Sequence, residues 1–179
     1  MTGEGANAWL IPGARKDRQT ITPQWSPSSQ NLIAGVTIKE VAHVPKKGGY
    51  LTEIMRAEWL GANTTIDQIF QTVLAPGFVS AWHSHAHTTD RLFVTQGLAR
   101  IVLYDARPDS ATLGLVNDMQ FGTIRPALVT IPPQVWHGVQ NVSSVPMVLL
   151  NIVDSAYSYA DPDHWRVPQD CPEIPFRFD

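Results

Sequence analysis

An all-β sandwich or barrel is the fold class the sequence predicts, and three observations carry that expectation. From Leu32 onward, short runs dominated by Val, Ile, Thr and aromatic residues follow one another with turn signals between them. Only Leu51–Trp59 could be drawn as a helix, and there Leu51, Glu53, Met55 and Ala57 also alternate as a strand would. The 179 residues, 44% hydrophobic and 16% charged, suffice for one soluble domain with a real core.

In chain order, residues 1–30 are rich in Pro, Gln, Ser and Thr, with Trp9 and Trp25 among them. They predict an extended arm, ordered where its aromatics dock. Residues 31–179 are expected to form a single domain. Its predicted strands are Gly35–Val41, Ile66–Leu74, Arg91–Thr95, Ala99–Tyr104, Ala127–Ile131 and Met147–Val153, with a strand at the start of Leu51–Trp59. Pro76-Gly77 reads as a turn and Gln96-Gly97 as a tight hairpin. After Asp154, Pro162, Pro168, Pro172 and Pro175 break any regular element, so an irregular C-terminal wrap is expected.

A formal net charge of -3 gives no reason to expect nucleic acid as a partner. No stretch approaches the roughly 18 apolar residues of a membrane span. Cys171 is the only cysteine, which excludes an intramolecular disulfide and a cysteine zinc cage. With no basic and apolar leader at Met1, a cytoplasmic location is expected.

The chemistry concentrates between Gly77 and Asn141. His83, His85 and His87 leave one face if their segment is a strand, and His137 lies in a second motif, Pro132-Pro-Gln-Val-Trp-His137-Gly-Val-Gln-Asn141. Three imidazoles on one face need polar partners when buried. They suit metal ligation, proton transfer or both. Trp82 and Trp136 each precede a key histidine, so both are expected on the opposite, packed face.

These motifs resemble the cupin superfamily. Gly77, His83, His85 and Gly97 fall in register with its first motif, with Asp90 where Glu is usual. Pro132, His137 and Asn141 fall in register with its second, with Gln134 where Gly is usual. Residues from about 32 to 178 are further similar to the dTDP-4-dehydrorhamnose 3,5-epimerase family and its relatives. The likeness rests on Ile33–Ile38, Gly48–Glu53, Leu103–Arg107 with Ser110–Gly114, Ile131–Gly138, Tyr159–Pro162 and Asp170–Ile174.

The resemblance implies a double-stranded β-helix, the cupin jelly roll, usually a homodimer. It implies a nucleotide-linked 4-keto-6-deoxy sugar as substrate and proton abstraction beside the ketone. His83 maps onto the family's base, Asp170 onto the Asp that orients it, and His137 or Arg91 is the candidate donor to the enolate. The family's Tyr acid falls near Asn151, which leaves Tyr157 and Tyr159 as candidate donors. The family's Arg three residues before the base is Ser80 here, and its Lys has no clean counterpart. An epimerase of this kind requires no cofactor. The alternative implied by the cupin motifs is a metal-dependent enzyme, a dioxygenase or metal isomerase. It would hold Fe(II), Mn(II), Ni(II) or Zn(II) on His83, His85, Asp90 and His137. A third reading is a non-catalytic sugar-binding cupin.

Overall fold

The structure, a computed structural model, describes residues 9–23, 28, 31–61 and 64–179. Trp25 of the expected arm lies outside the described residues. The chain divides into two units, Met1–Gln30 and Asn31–Asp179. The described part of the first is built of turns and extended chain. Ala14 N–H donates to Ile11 O at 3.0 Å, and Ser28 N–H to Thr20 O at 2.9 Å.

The second unit carries two five-stranded antiparallel sheets and one hairpin. The first sheet runs, edge to edge, β1 (Thr37–Glu40), β9 (Ala127–Ile131), β6 (Asp90–Gln96), β11 (Met147–Val153) and β4 (Gln68–Leu74). The second runs β12 (Trp165–Arg166), β5 (Val79–Ser84), β10 (Val135–Asn141), β7 (Leu98–Asp105) and β8 (Val116–Gly122). β2 (His43–Lys46) and β3 (Gly49–Thr52) pair on each other. This is the expected all-β jelly roll, and each of the six predicted runs contains a strand.

Strand parity sorts the side chains. Leu92 and Val94 of β6 pack with Ile101 and Leu103 of β7 and Val139 of β10, so the main core lies between the sheets. Phe93 points the other way, into a cluster with Leu128 and Ile152 that Ile54, Met55 and Trp59 cover. On the outer face of the second sheet, Trp82 and Val102 are covered by Cys171, Ile174, Phe176 and Phe178. The proline-rich C-terminal segment is therefore a wrap with a definite apolar task.

Of two local expectations, the first is met and the second changes. Leu51–Trp59 is both things in turn, a strand end through Thr52 and a single 3-10 turn at Ala57–Trp59. Gln96-Gly97 does not close a hairpin, because β6 and β7 belong to different sheets. Gly97 (φ +80°) instead turns the chain across the sandwich, where an added Cβ would meet Ser143 Oγ at 2.8 Å and Met147 Cα at 3.1 Å. The local sequence specifies a tight turn, but the strand partners it connects are set by distant residues.

The Asp105–Gly114 segment closes on its own carboxylate. Asp105, fully buried, accepts from Arg107 Nε (2.8 Å) and Thr112 Oγ1 (2.6 Å) and from the Ser110 hydroxyl. The Asp-x-Arg and Ser-x-Thr residues thus build a turn, and none of them lines the site described next.

Candidate active site

A cavity of about 440 Å³ opens between the sheets, next to the apolar core. Parity puts the histidines in it. His83 of β5 faces inward, whereas Trp82 before it is fully buried on the outer face. Three neighbouring strands then place a row of functional groups. His83 is paired in register with His137 on β10 and with Arg166 on β12. Gly138 permits the close approach of β10 to β5, since a Cβ there would lie 2.5 Å from Ala81 Cβ. His83 stacks its ring edgewise 5.1 Å from that of His137. Trp136, like Trp82, packs on the outer side.

His85 follows the end of β5 and shares the cavity, whereas His87 is exposed at its rim. A turn fixes His85 in place. Gln134, in the left-handed region (φ 67°) at the motif's usual glycine, donates its N–H to His85 O at 2.7 Å.

Asp90 sits 2% exposed at the head of β6. Its Oδ2 lies 3.2 Å from His85 Nε2 and 3.2 Å from His137 Nε2, and its Oδ1 accepts from Asn151 Nδ2 at 2.7 Å. Burial alone would raise its pKa, but the bonds from His137 and His85 hold it far below the usual carboxylate range. Asn151 thus has a defined task, which is to saturate Asp90.

The other nitrogens of the two rings decide what the cluster is. His85 Nδ1 contacts the Asp163 carbonyl oxygen, and His137 Nδ1 lies 3.1 Å from Val135 O. A carbonyl only accepts, so both Nδ1 atoms carry protons. The two Nε2 atoms then either carry protons as well, as imidazolium, or present lone pairs that converge with Asp90 on a cation. Burial works against the charged form of His85, yet the bond to Asp90 raises its pKa above the ordinary value. His85, Asp90 and His137 have ligand atoms within 4.8 Å of one another. His83, the fourth expected ligand, stands apart from that trio, with its Nε2 3.1 Å from Ser80 Oγ.

His83 presents a half-buried imidazole to the cavity. Burial first, then the neighbouring His137, Arg166, His164 and His85, lower its pKa to about 3, so it is neutral at physiological pH. The expected orienter does not reach it. Asp170 is exposed and belongs to the C-terminal wrap, whose neighbouring Gln169 carbonyl accepts from Trp82 Nε1 at 3.2 Å. Trp82 and His83 point to opposite faces of β5, so Asp170 is on the wrong side of the sheet, and Ser80 takes its place beside the ring.

Tyr157 lines the cavity from the segment after β11, held by a bond from its N–H to Gln68 Oε1 at 3.0 Å. Tyr159 is 90% exposed and is not among the lining residues; it packs edgewise on Tyr157.

Three residues near β12 are absent from the sequence expectations. The Asp163 carboxylate accepts from the N–H groups of Ala86, His87 and Thr88, which ties the strand to the β5–β6 turn and holds its pKa down at about 2. His164 packs its ring 5.4 Å from His83 and 5.0 Å from His85, and its Nε2 is buried without a partner. Arg166 completes the row beside His83. The one available signal was the alternation His164-Trp165-Arg166 between Pro162 and Pro168, a strand of two residues.

Comparisons with known proteins agree with this architecture. The chain is 29% identical over 139 residues to a probable low-salt glycan biosynthesis epimerase of Haloferax volcanii, covering 77% of this chain and 89% of that one. It is 29% identical over 150 residues to the spore coat polysaccharide biosynthesis protein SpsL of Bacillus subtilis, covering 82% and 97%. A dTDP sugar isomerase from Desulfovibrio desulfuricans superimposes with a TM-score of 0.76 at 29% identity, covering 83% of this chain and 95% of that one. The model of the polysaccharide biosynthesis C-terminal domain family matches residues 45–165, a span that runs from β2 to β12 and takes in every histidine of the cavity, and to that family the chain belongs.

Proposed function

We propose that the chain is an epimerase or isomerase of a nucleotide-linked 4-keto-6-deoxy sugar. His83 removes a proton from a carbon beside the ketone. The observation that carries this reading is a neutral, half-buried imidazole facing a cavity whose other central histidines are occupied. Both nitrogens of His85 and of His137 are engaged by carbonyls and by Asp90, which leaves His83 and His164 on that wall to exchange protons. Proton transfer needs a group with a free site at the reacting carbon. Tyr157 borders the cavity from the side of the first sheet and is the donor on the opposite face. Ser80, whose hydroxyl can donate or accept, holds the His83 ring in either protonation state. The kinship with an epimerase and a dTDP sugar isomerase supports the substrate class. Incubation with dTDP-4-keto-6-deoxyglucose in heavy water tests it by NMR. Deuterium is expected at the carbons next to the ketone. No incorporation at high enzyme with dTDP-, UDP- or GDP-linked keto sugars would refute it.

The converging nitrogens of His85 and His137 favour a second reading. With both Nδ1–H groups given to carbonyls, the trio with Asp90 has the donor set of a two-histidine, one-carboxylate metal site. Fe(II), Mn(II), Ni(II) or Zn(II) held there would supply a Lewis acid that polarises the sugar carbonyl. His83 stays outside the ligand set and remains available as base. Elemental analysis of protein purified without a histidine tag or chelator decides it. Near-stoichiometric metal, abolished by His85→Ala, is the expected result on this reading. None after addition of all four ions would remove it.

We further infer a homodimer in the cytoplasm. The edge strand β4 exposes Ile69 and Val73, an apolar stripe that a second copy can cover. Among the described residues no helix is long and apolar enough to cross a membrane.

A further inference from the structure

We propose that Arg166 anchors the phosphate-bearing end of the substrate at the cavity rim and so fixes which sugar carbon meets His83. The inference rests on the proposed substrate class and adds the residue that orients it. Among the described residues that line the cavity, Arg166 is the only Arg or Lys. Among the described residues it has no carboxylate partner. The two carboxylates nearest the histidines are already taken, Asp90 by His85, His137 and Asn151, and Asp163 by three backbone N–H groups. An unneutralised guanidinium therefore faces the cavity, and its planar fork matches phosphate oxygens.

Its placement is fixed by backbone. β12 pairs Trp165 with Ser84 and Arg166 with His83, so Arg166 shares the face of His83 and Trp165 takes the other. Trp82 and Val167 exchange backbone bonds at 3.3 and 3.4 Å just beyond the pair, and Asp163 pins the strand's other end. The cation is thus presented from a clamped edge strand. Adjacent strands lie about 4.7–4.9 Å apart, so one sugar ring can place a C–H at His83 and its phosphate substituent at Arg166. His164, two residues earlier on the same face, adds a buried Nε2 with no partner of its own.

Calorimetric titration with dTDP, with inorganic pyrophosphate and with uncharged thymidine tests this on wild type, Arg166→Ala and Arg166→Lys. Arg166→Ala is expected to weaken dTDP and pyrophosphate about 10- to 100-fold, the range for hydrogen bonds to a charged group. Thymidine is expected to be unaffected, and Arg166→Lys to recover part of the loss. Unchanged dTDP affinity in Arg166→Ala, or a wild type that binds neither anion, would overturn it. Binding is read without turnover. An affinity loss in a protein that exchanges no deuterium keeps the anchor and removes the reaction, whereas exchange with an unchanged KM in Arg166→Ala removes the anchor alone.

Discussion

Replacing His83 with asparagine is expected to lower solvent deuterium incorporation into the keto sugar by about 10²- to 10⁴-fold, the usual contribution of a positioned acid or base. dTDP affinity should stay within a few-fold, because asparagine keeps the cavity polar and leaves Arg166 in place. The pH profile carries the sharper information. With its pKa lowered to about 3 by burial and by the surrounding histidines and Arg166, His83 is already deprotonated throughout the neutral range. The acid limb of kcat/KM should therefore be missing near pH 6.5, where an ordinary histidine would produce it. A base so weak needs help during the reaction. The enolate that forms beside it supplies that help, because negative charge close to the ring favours the imidazolium. If His83→Asn exchanged deuterium at the wild-type rate, another cavity histidine would have to be the base, with His164, whose Nε2 is buried without a partner, the first to substitute.

Much of this site was legible in the chain. The parity of His83 and His85, the spacing to Asp90 and the second motif at His137 are local patterns, and the structure gathers those four around one cavity. What failed depended on strand pairing. Asp170 was aligned with a catalytic Asp, but whether a residue past the last strand lands inside or outside the sheet depends on which face of β5 the chain crosses. Here Trp82 draws that segment outward through its indole bond to Gln169 and its packing with Phe176 and Phe178. His164 and Arg166 were missed for the same reason. Two strand residues between prolines give almost no periodicity, and their meaning comes only from the register with Ser84 and His83. Gln96-Gly97 misled in the same way, since a turn signal states that the chain bends but not which strands it joins.

Substituting alanine for Asp90 is expected to be the most destabilising change in the cavity, by about 3–5 kcal/mol, as when one partner of a buried ion pair is removed. The loss exceeds that of a single bond. Asp90 contacts His85, His137 and Asn151 at once, so its removal strands an Asn151 amide and two ring nitrogens without their partner. The pH dependence of stability should change with it. Asp90 has its pKa depressed by folding, so its contribution is present above about pH 4 and is lost as pH falls through the lower folded value. His85 has its pKa raised, so its contribution is full below about 6.5 and is lost as pH rises through the folded value. His83 works in the opposite sense to His85. Its folded pKa of about 3 lies below the unfolded value, so the unfolded chain takes up the proton first and stability falls as pH drops from about 6.5 toward 3. Urea midpoints across pH 2–9 separate the three. Wild type should weaken on both sides of a maximum near neutrality, Asp90→Ala should lose the alkaline decline that belongs to His85, and His83→Asn should lose the decline between pH 6 and 4. An Asp90→Ala protein as stable as wild type at pH 7 would mean that the two histidines do not depend on this carboxylate.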